Sequence, residues 1–158
     1  KDLFGFAGNV YLLDRLKNQI WKYLPVESGY SDKRTYLKEG TQADFLSSQK
    51  LQIDSSVWIL KEGGEVLKYT AGVRDYFGLS GLDKDLNDPK SFSVSENSDN
   101  IYLLDSGNNR LVVVNKSGVY QSQYKSEEFS KVEDLVVDEE KKQVYLLKES
   151  KIYLLELK

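Results

Sequence analysis

The densest grouping of reactive side chains is Asp105-Ser106-Gly107-Asn108-Asn109-Arg110, a carboxylate, two amides and a guanidinium within a single short stretch. On a loop, these groups can grip a ligand. Asp and Asn also stabilise tight turns by bonding their own backbone, and Arg110 is spaced to pair with Asp105. Three carboxylate pairs follow, Glu127-Glu128, Glu133-Asp134 and Glu139-Glu140. General acid–base catalysis needs carboxylates that converge on a substrate, whereas acids adjacent in sequence at turns are usually solvated. The run Asp83-Lys84-Asp85-Leu86-Asn87-Asp88 alternates oxygen ligands but lacks the central Gly and terminal Glu of a calcium loop, so it reads as a surface connection. The chain has 0 His and 0 Cys, which removes imidazole bases, thiolates and the commonest transition-metal ligands. No catalytic residue, metal ligand or cofactor site is expected.

The 158 residues fit one domain, with 40% hydrophobic and 30% charged residues giving a globular mixture. Eleven Tyr, six Phe and two Trp against only two Pro favour strands. With a net charge of −3 and a pI near 5.1, the chain has no field to gather nucleic-acid phosphates. No run approaches the ~20 apolar residues of a spanning helix, so direct membrane insertion of this segment is not expected. The chain opens on Lys1 and has no Met, and we therefore expect a segment of a longer protein; for its setting, the extracytoplasmic part of a membrane-anchored protein is favoured over a cytoplasmic one.

A repeat sets the fold. Four tetrads, Val10-Tyr11-Leu12-Leu13, Val57-Trp58-Ile59-Leu60, Ile101-Tyr102-Leu103-Leu104 and Val144-Tyr145-Leu146-Leu147, share the order aliphatic, aromatic, aliphatic, aliphatic. Their aromatic members are 47, 44 and 43 residues apart (58−11, 102−58, 145−102), close to the ~40–50 residues of a four-stranded propeller blade. In a two-sheet sandwich one face of each strand meets water and the pattern alternates. Consecutive apolar residues instead require both faces covered, as in blades stacked on one another. The expectation is an all-β propeller of about four blades, near residues 1–46, 47–87, 88–130 and 131–158, each a four-stranded antiparallel sheet, the last lacking its outer strand. Predicted strands include Phe4–Ala7, Arg74–Leu79 and Val132–Asp138, with Val26–Lys33 a loose linker. Upstream blades or a second copy would finish a larger ring, since an open sheet edge invites pairing.

The stretch Asp88-Pro89-Lys90-Ser91-Phe92-Ser93-Val94-Ser95, followed by Asn100-Ile101-Tyr102-Leu103-Leu104-Asp105 and the turn through Arg110, resembles the NHL repeat. Asp14, Asn18 and Gln19 keep part of that pattern in the first unit, whereas Lys61 and Lys148 replace the Asp in the second and fourth. The whole segment also resembles C-terminal propeller regions of longer bacterial proteins. The resemblance implies a recognition module, and some NHL-like propellers bind RNA, which the mixed charge here disfavours. Other propellers host metal-dependent lyase or hydrolase chemistry, which the missing His disfavours for this segment. Loops on a rigid scaffold usually carry recognition. The expected partner face therefore comprises Arg15, Lys17, Asn18, Arg74, Asp88, Lys90, Asn108, Asn109 and Arg110, directed at a protein or small-molecule ligand. Most of the tyrosines among Tyr23, Tyr30, Tyr36, Tyr69, Tyr76, Tyr120 and Tyr124 are expected to pack between blades.

Overall fold

Each tetrad forms the second strand of a small antiparallel sheet in the computed structural model, which describes residues 2–157. The first blade is built from β1 (Asp2–Phe6), β2 (Asn9–Asp14), β3 (Gln19–Tyr23) and β6 (Arg34–Thr35), with a hairpin of β4 (Pro25–Val26) and β5 (Gly29–Tyr30) between its last two strands. The second comprises β7 (Ser48–Ile53), β8 (Val57–Lys61), β9 (Val66–Thr70) and β10 (Val73–Asp75), and the third β11 (Pro89–Val94), β12 (Asn100–Asp105), β13 (Arg110–Asn115) and β14 (Tyr120–Lys125). The fourth has three strands, β15 (Asp134–Asp138), β16 (Gln143–Lys148) and β17 (Lys151–Glu156). The chain is a four-blade β-propeller arrangement with the fourth outer strand missing among the described residues.

The consecutive apolar residues are explained by a strict division of labour between faces. Tyr11 and Leu13 of blade one pack with Val57 and Ile59 of blade two. Trp58 and Leu60 pack with Ile101 and Leu103 of blade three, and Tyr102 and Leu104 with Val144 and Leu146 of blade four. At each of these three junctions the second and fourth residues of the earlier tetrad thus face the first and third residues of the later one. Because side chains alternate across a strand, both sets must be apolar wherever a blade has two neighbours. The outer strand β14 covers no such double interface and carries Gln121, Ser122, Gln123 and Lys125.

Two expectations needed correction at the outer strands. The second blade's outer strand ends at Asp75 and does not run to Leu79, because Phe77, Leu79, Leu82 and Leu86 turn away to seal the core between blades two and three. Ser80 forms a parallel bridge to Val119 there. The linker 26–33 contains the small hairpin β4–β5, closed at Gly29 with φ +127°.

The turns joining second to third strands are built in three ways. In blades one and three the residue before the third strand, Asn18 or Asn109, is left-handed at φ 51° and 53°, and Asp14 pairs with Gln19 as Asp105 pairs with Arg110. Blade two uses Gly64 at φ +87°, and blade four a two-residue turn with Glu149 and Ser150 both at positive φ. Loss of the Asp and Asn in the second and fourth units therefore goes with a different backbone.

Candidate functional site

The sequence-nominated face, here the upper one, carries the turns between second and third strands. Its sharpest motif is a structural staple. Arg110, 1% exposed, donates from Nε to Asp105 Oδ2 at 2.6 Å and from a terminal nitrogen to the Lys84 carbonyl at 2.7 Å. It also bonds Asp83 and, at 3.1 Å, Gln123. Asp105 accepts from the Asn87 backbone N–H at 2.7 Å and from Asn108 Nδ2 at 2.9 Å, and Asn108 reaches the Asp85 carbonyl at 2.9 Å. The guanidinium fork thus clamps the connection 83–87 onto the third blade. This corrects the placement of Arg110 on a partner surface: its donors are spent inside the protein, and it has almost no accessible area.

Asn18 does similar work in blade one, donating to the Ala43 carbonyl and accepting from the Phe45 N–H at 2.7 Å. Arg15 donates to the Leu46 carbonyl at 2.8 Å and lies 3.5 Å from Glu62. Arg74 pairs with Glu65 at 3.1 Å and Lys90 with Asp88 at 2.7 Å, both cations exposed. Lys17 and Asn109 are also exposed. The nine nominated residues lie around separate blade junctions and do not meet in one pocket.

A recess opens instead on the lower face, where first and second strands join, between blades three and four. It has a volume of about 360 Å³ and is lined by Ser93, Ser95, Ser98, Asn100, Tyr102, Glu139, Lys141 and their neighbours. Blade three supplies the hydroxyls and Asn100, while the β15–β16 turn supplies Glu139 and Lys141. Glu139 Oε1 accepts from Tyr102 Oη at 2.5 Å and from Asn100 Nδ2 at 3.1 Å. Ser93 Oγ accepts from the Val137 N–H at 3.2 Å, tying the two blades at the recess floor.

Burial raises the Tyr102 hydroxyl well above the ordinary phenol range, and the Glu139 carboxylate raises it further. For Glu139 itself burial is the largest influence and opposes ionisation, but hydrogen bonds from Tyr102 and Asn100 and the nearby Lys116 outweigh it and lower its pKa. Sequence reasoning set Glu139 aside as a solvated turn acid. The partner that fixes it, Tyr102, stands 37 residues away in another blade.

Two further carboxylates join blades electrostatically. Asp54, buried at 3% exposure, accepts from Trp58 Nε1 at 2.9 Å and meets Lys116 of blade three at 2.8 Å. Asp134 of blade four meets Lys50 of blade two at 2.6 Å and accepts from Ser91 Oγ of blade three at 2.5 Å. Burial acts to raise both pKa values, yet the Lys116 and Lys50 hydrogen bonds, with those from Ser56 and Trp58 to one and Ser91 to the other, leave both lowered. A carboxyl with a depressed folded pKa contributes stability that is fully present above its unfolded value of about 4 and is lost as pH falls through the folded value. The melting temperature is therefore expected to be nearly flat from about pH 5 to 8, where no His titrates, and to fall below about pH 4. Asp134→Asn should shrink that acid fall. Circular dichroism melts at stepped pH check this; a melting temperature that rises on acidification would contradict it.

The fold and these interblade bonds define a β-propeller unit with polar recesses at its blade junctions. No protein-family model and no curated protein matches the sequence. Several solved structures are similar in fold. PorZ, described as an essential bacterial surface component of the type-IX secretion system of Porphyromonas gingivalis, is 13% identical with a TM-score of 0.58 over 99% of this chain and 19% of its own. A catalytically inactive histidine-to-alanine variant of virginiamycin B lyase from Staphylococcus aureus, solved with quinupristin, is 12% identical with a TM-score of 0.59, over 98% of this chain and 54% of its own. The computationally designed Ika4 protein is 13% identical with a TM-score of 0.61, over 99% of this chain and 90% of its own. The chain thus spans a fifth of PorZ and about half of the lyase.

Proposed function

We propose that the chain is a non-catalytic recognition module that binds a small polar molecule, bearing hydroxyl or amino groups, in the recess between blades three and four. The observation that carries this reading is the geometry of the recess: Glu139 of blade four is held by Tyr102 Oη and Asn100 Nδ2 of blade three, with the hydroxyls of Ser93, Ser95 and Ser98 and the Lys141 amine around it. The opposed pKa directions, Glu139 down and Tyr102 up, agree with groups that hold hydrogen bonds more readily than they trade protons near neutral pH. The volume of about 360 Å³ falls in the range of small-molecule sites. An inactivating substitution in the lyase replaces a histidine, and this chain has 0 His.

The exposed upper-face residues Lys17, Asp88 and Lys90, with Arg74 on the outer strand β10, are proposed as secondary contact points for a protein partner. An NHL-like ancestry is supported by the Asp105–Arg110 turn. An extracytoplasmic setting agrees with the description of PorZ as a bacterial surface component.

The test is a nuclear magnetic resonance titration with a panel of amino acids, amines and sugars, followed by recovery of each compound. Shifts should cluster at the recess, Glu139→Gln should weaken any hit by about tenfold or more, and every compound should be recovered unchanged. Turnover abolished by Glu139→Gln would overturn the non-catalytic reading. Absence of any hit, or hits indifferent to Glu139→Gln, would overturn the site.

A further inference from the structure

Glu139 differs from Asp54, Asp105 and Asp134 in what holds it. Each of those three meets a cation directly, Lys116, Arg110 and Lys50 respectively. Glu139 is held by the neutral donors Tyr102 Oη and Asn100 Nδ2, and among the described residues no lysine or arginine stands within ion-pair distance of it. Its two neighbouring lysines are committed elsewhere: Lys116 to Asp54 and the Ser95 carbonyl, both at 2.8 Å, and Lys141 to Asp138 at 2.7 Å. A partly buried charge ordinarily has a counter-charge. The hydrogens around Glu139 are also spent. The Tyr102 hydroxyl hydrogen goes to Glu139, which leaves the phenol oxygen with lone pairs, and Asn100, with its amide nitrogen on Glu139, keeps its side-chain oxygen as an acceptor. Ser98 has one hydrogen and two protein acceptors for it, the Asn100 carbonyl at 3.1 Å and Glu139. The recess therefore offers lone pairs and a negative balance, with Asp138, Glu139 and Glu140 in its lining against Lys141.

We propose that the recess seats the ammonium group of a small primary amine, its N–H hydrogens shared among Glu139, the Asn100 side-chain oxygen and the Tyr102 phenol oxygen, and that it discriminates against neutral alcohols and carboxylates. This rests on the recess being the binding site, and adds the charge and the hydrogen-bond polarity of the ligand. An ammonium carries three donors and no acceptor, the complement of a site lined with lone pairs. Its bond to a carboxylate is charge-assisted and roughly twice as strong as a neutral one. A neutral alcohol would pay the same desolvation without bringing the counter-charge that Glu139 lacks. A carboxylate ligand would set like charges side by side, which is unfavourable. The Ser93 and Ser95 hydroxyls, which line the same recess, can turn to give or accept a bond, so a hydroxyl on the amine also finds a partner.

The experiment is a nuclear magnetic resonance titration of the 158-residue chain with ethanolamine, choline, ethylene glycol and glycolate, which share one short carbon frame and differ in charge and donors. Ethanolamine should shift the Asn100, Tyr102 and Glu139 resonances saturably, and each of the other compounds should bind at least about tenfold more weakly. Choline keeps the charge and loses the N–H donors, so it separates a seat for the ammonium from general attraction to acids. Glu139→Gln should bring ethanolamine to within about threefold of ethylene glycol. Lys141→Gln, at an exposed position, frees Asp138 of its cation; it should tighten ethanolamine by about two- to threefold, leave ethylene glycol unchanged, and serves if the first variant misfolds. Ethylene glycol, glycolate or choline binding the recess as tightly as ethanolamine overturns the ammonium assignment while leaving the recess a site for another ligand. An ethanolamine affinity indifferent to both variants overturns it too. If none of the compounds shifts the recess, the assignment falls, and the sugars and amino acids of the wider panel then decide whether the recess binds at all.

Discussion

Arg110→Ala is expected to destabilise the chain by about 3–5 kcal/mol, the cost of removing one member of a buried ion pair and stranding the other. Asp105 is 0% exposed and, among the described residues, keeps the Asn87 N–H and the Asn108 amide as donors once the guanidinium is gone. The loss would not stop there, because Asp83, the Lys84 carbonyl and Gln123 all take bonds from the same side chain. Arg110→Lys keeps the charge but cannot reproduce the planar fork, so it should recover only part of the deficit. The double replacement Asp105→Asn with Arg110→Met should cost less than the sum of the two singles, since it removes the stranded charge with its partner. Urea unfolding of the four variants measures this. A cost for Arg110→Ala below about 1 kcal/mol, the level of an exposed pair, would show that the staple does not hold the 83–87 connection.

Trp58→Ala carries the second large effect, also about 3–5 kcal/mol. The indole is 1% exposed at the junction of blades two and three and meets Phe77 edge-on, with ring centroids 5.1 Å apart. Truncation opens a cavity between two rigid sheets that cannot collapse into it. It also removes the Nε1 donor from Asp54, which Lys116 and the Ser56 N–H would then hold alone. Trp58→Phe should cost clearly less, because the ring contact with Phe77 is kept and only the indole bond and part of the volume are lost. Chemical unfolding at neutral pH checks the order. Equal losses for the two variants would mean that the Asp54 bond, and not packing, dominates at this junction.

The propeller was legible in the sequence because stacking blades on both sides demands consecutive apolar residues, and that demand recurs four times with little change. The Asp105–Arg110 pairing was legible for a similar reason, since antiparallel register places the two directly opposite across one short turn. Local rules also separated the turns of blades one and three, with their left-handed Asn, from those of blades two and four.

What tertiary structure alone decided lies between blades. Glu139 is held by Tyr102 and Asn100 and Asp54 by Lys116, bonds between residues that no repeat period connects, whereas Asp134 and Lys50 hold one repeat position two blades apart, opposite Leu147 and Leu60, and only the curl of the stack brings them together. Arg110 reads as an exposed turn cation in one dimension and becomes buried only when the 83–87 connection folds over it. The division of every tetrad into a forward and a backward face is likewise a property of the stack: the four residues look alike in sequence, and only the presence or absence of a neighbouring sheet makes Leu60 core and leaves Leu147 open to solvent.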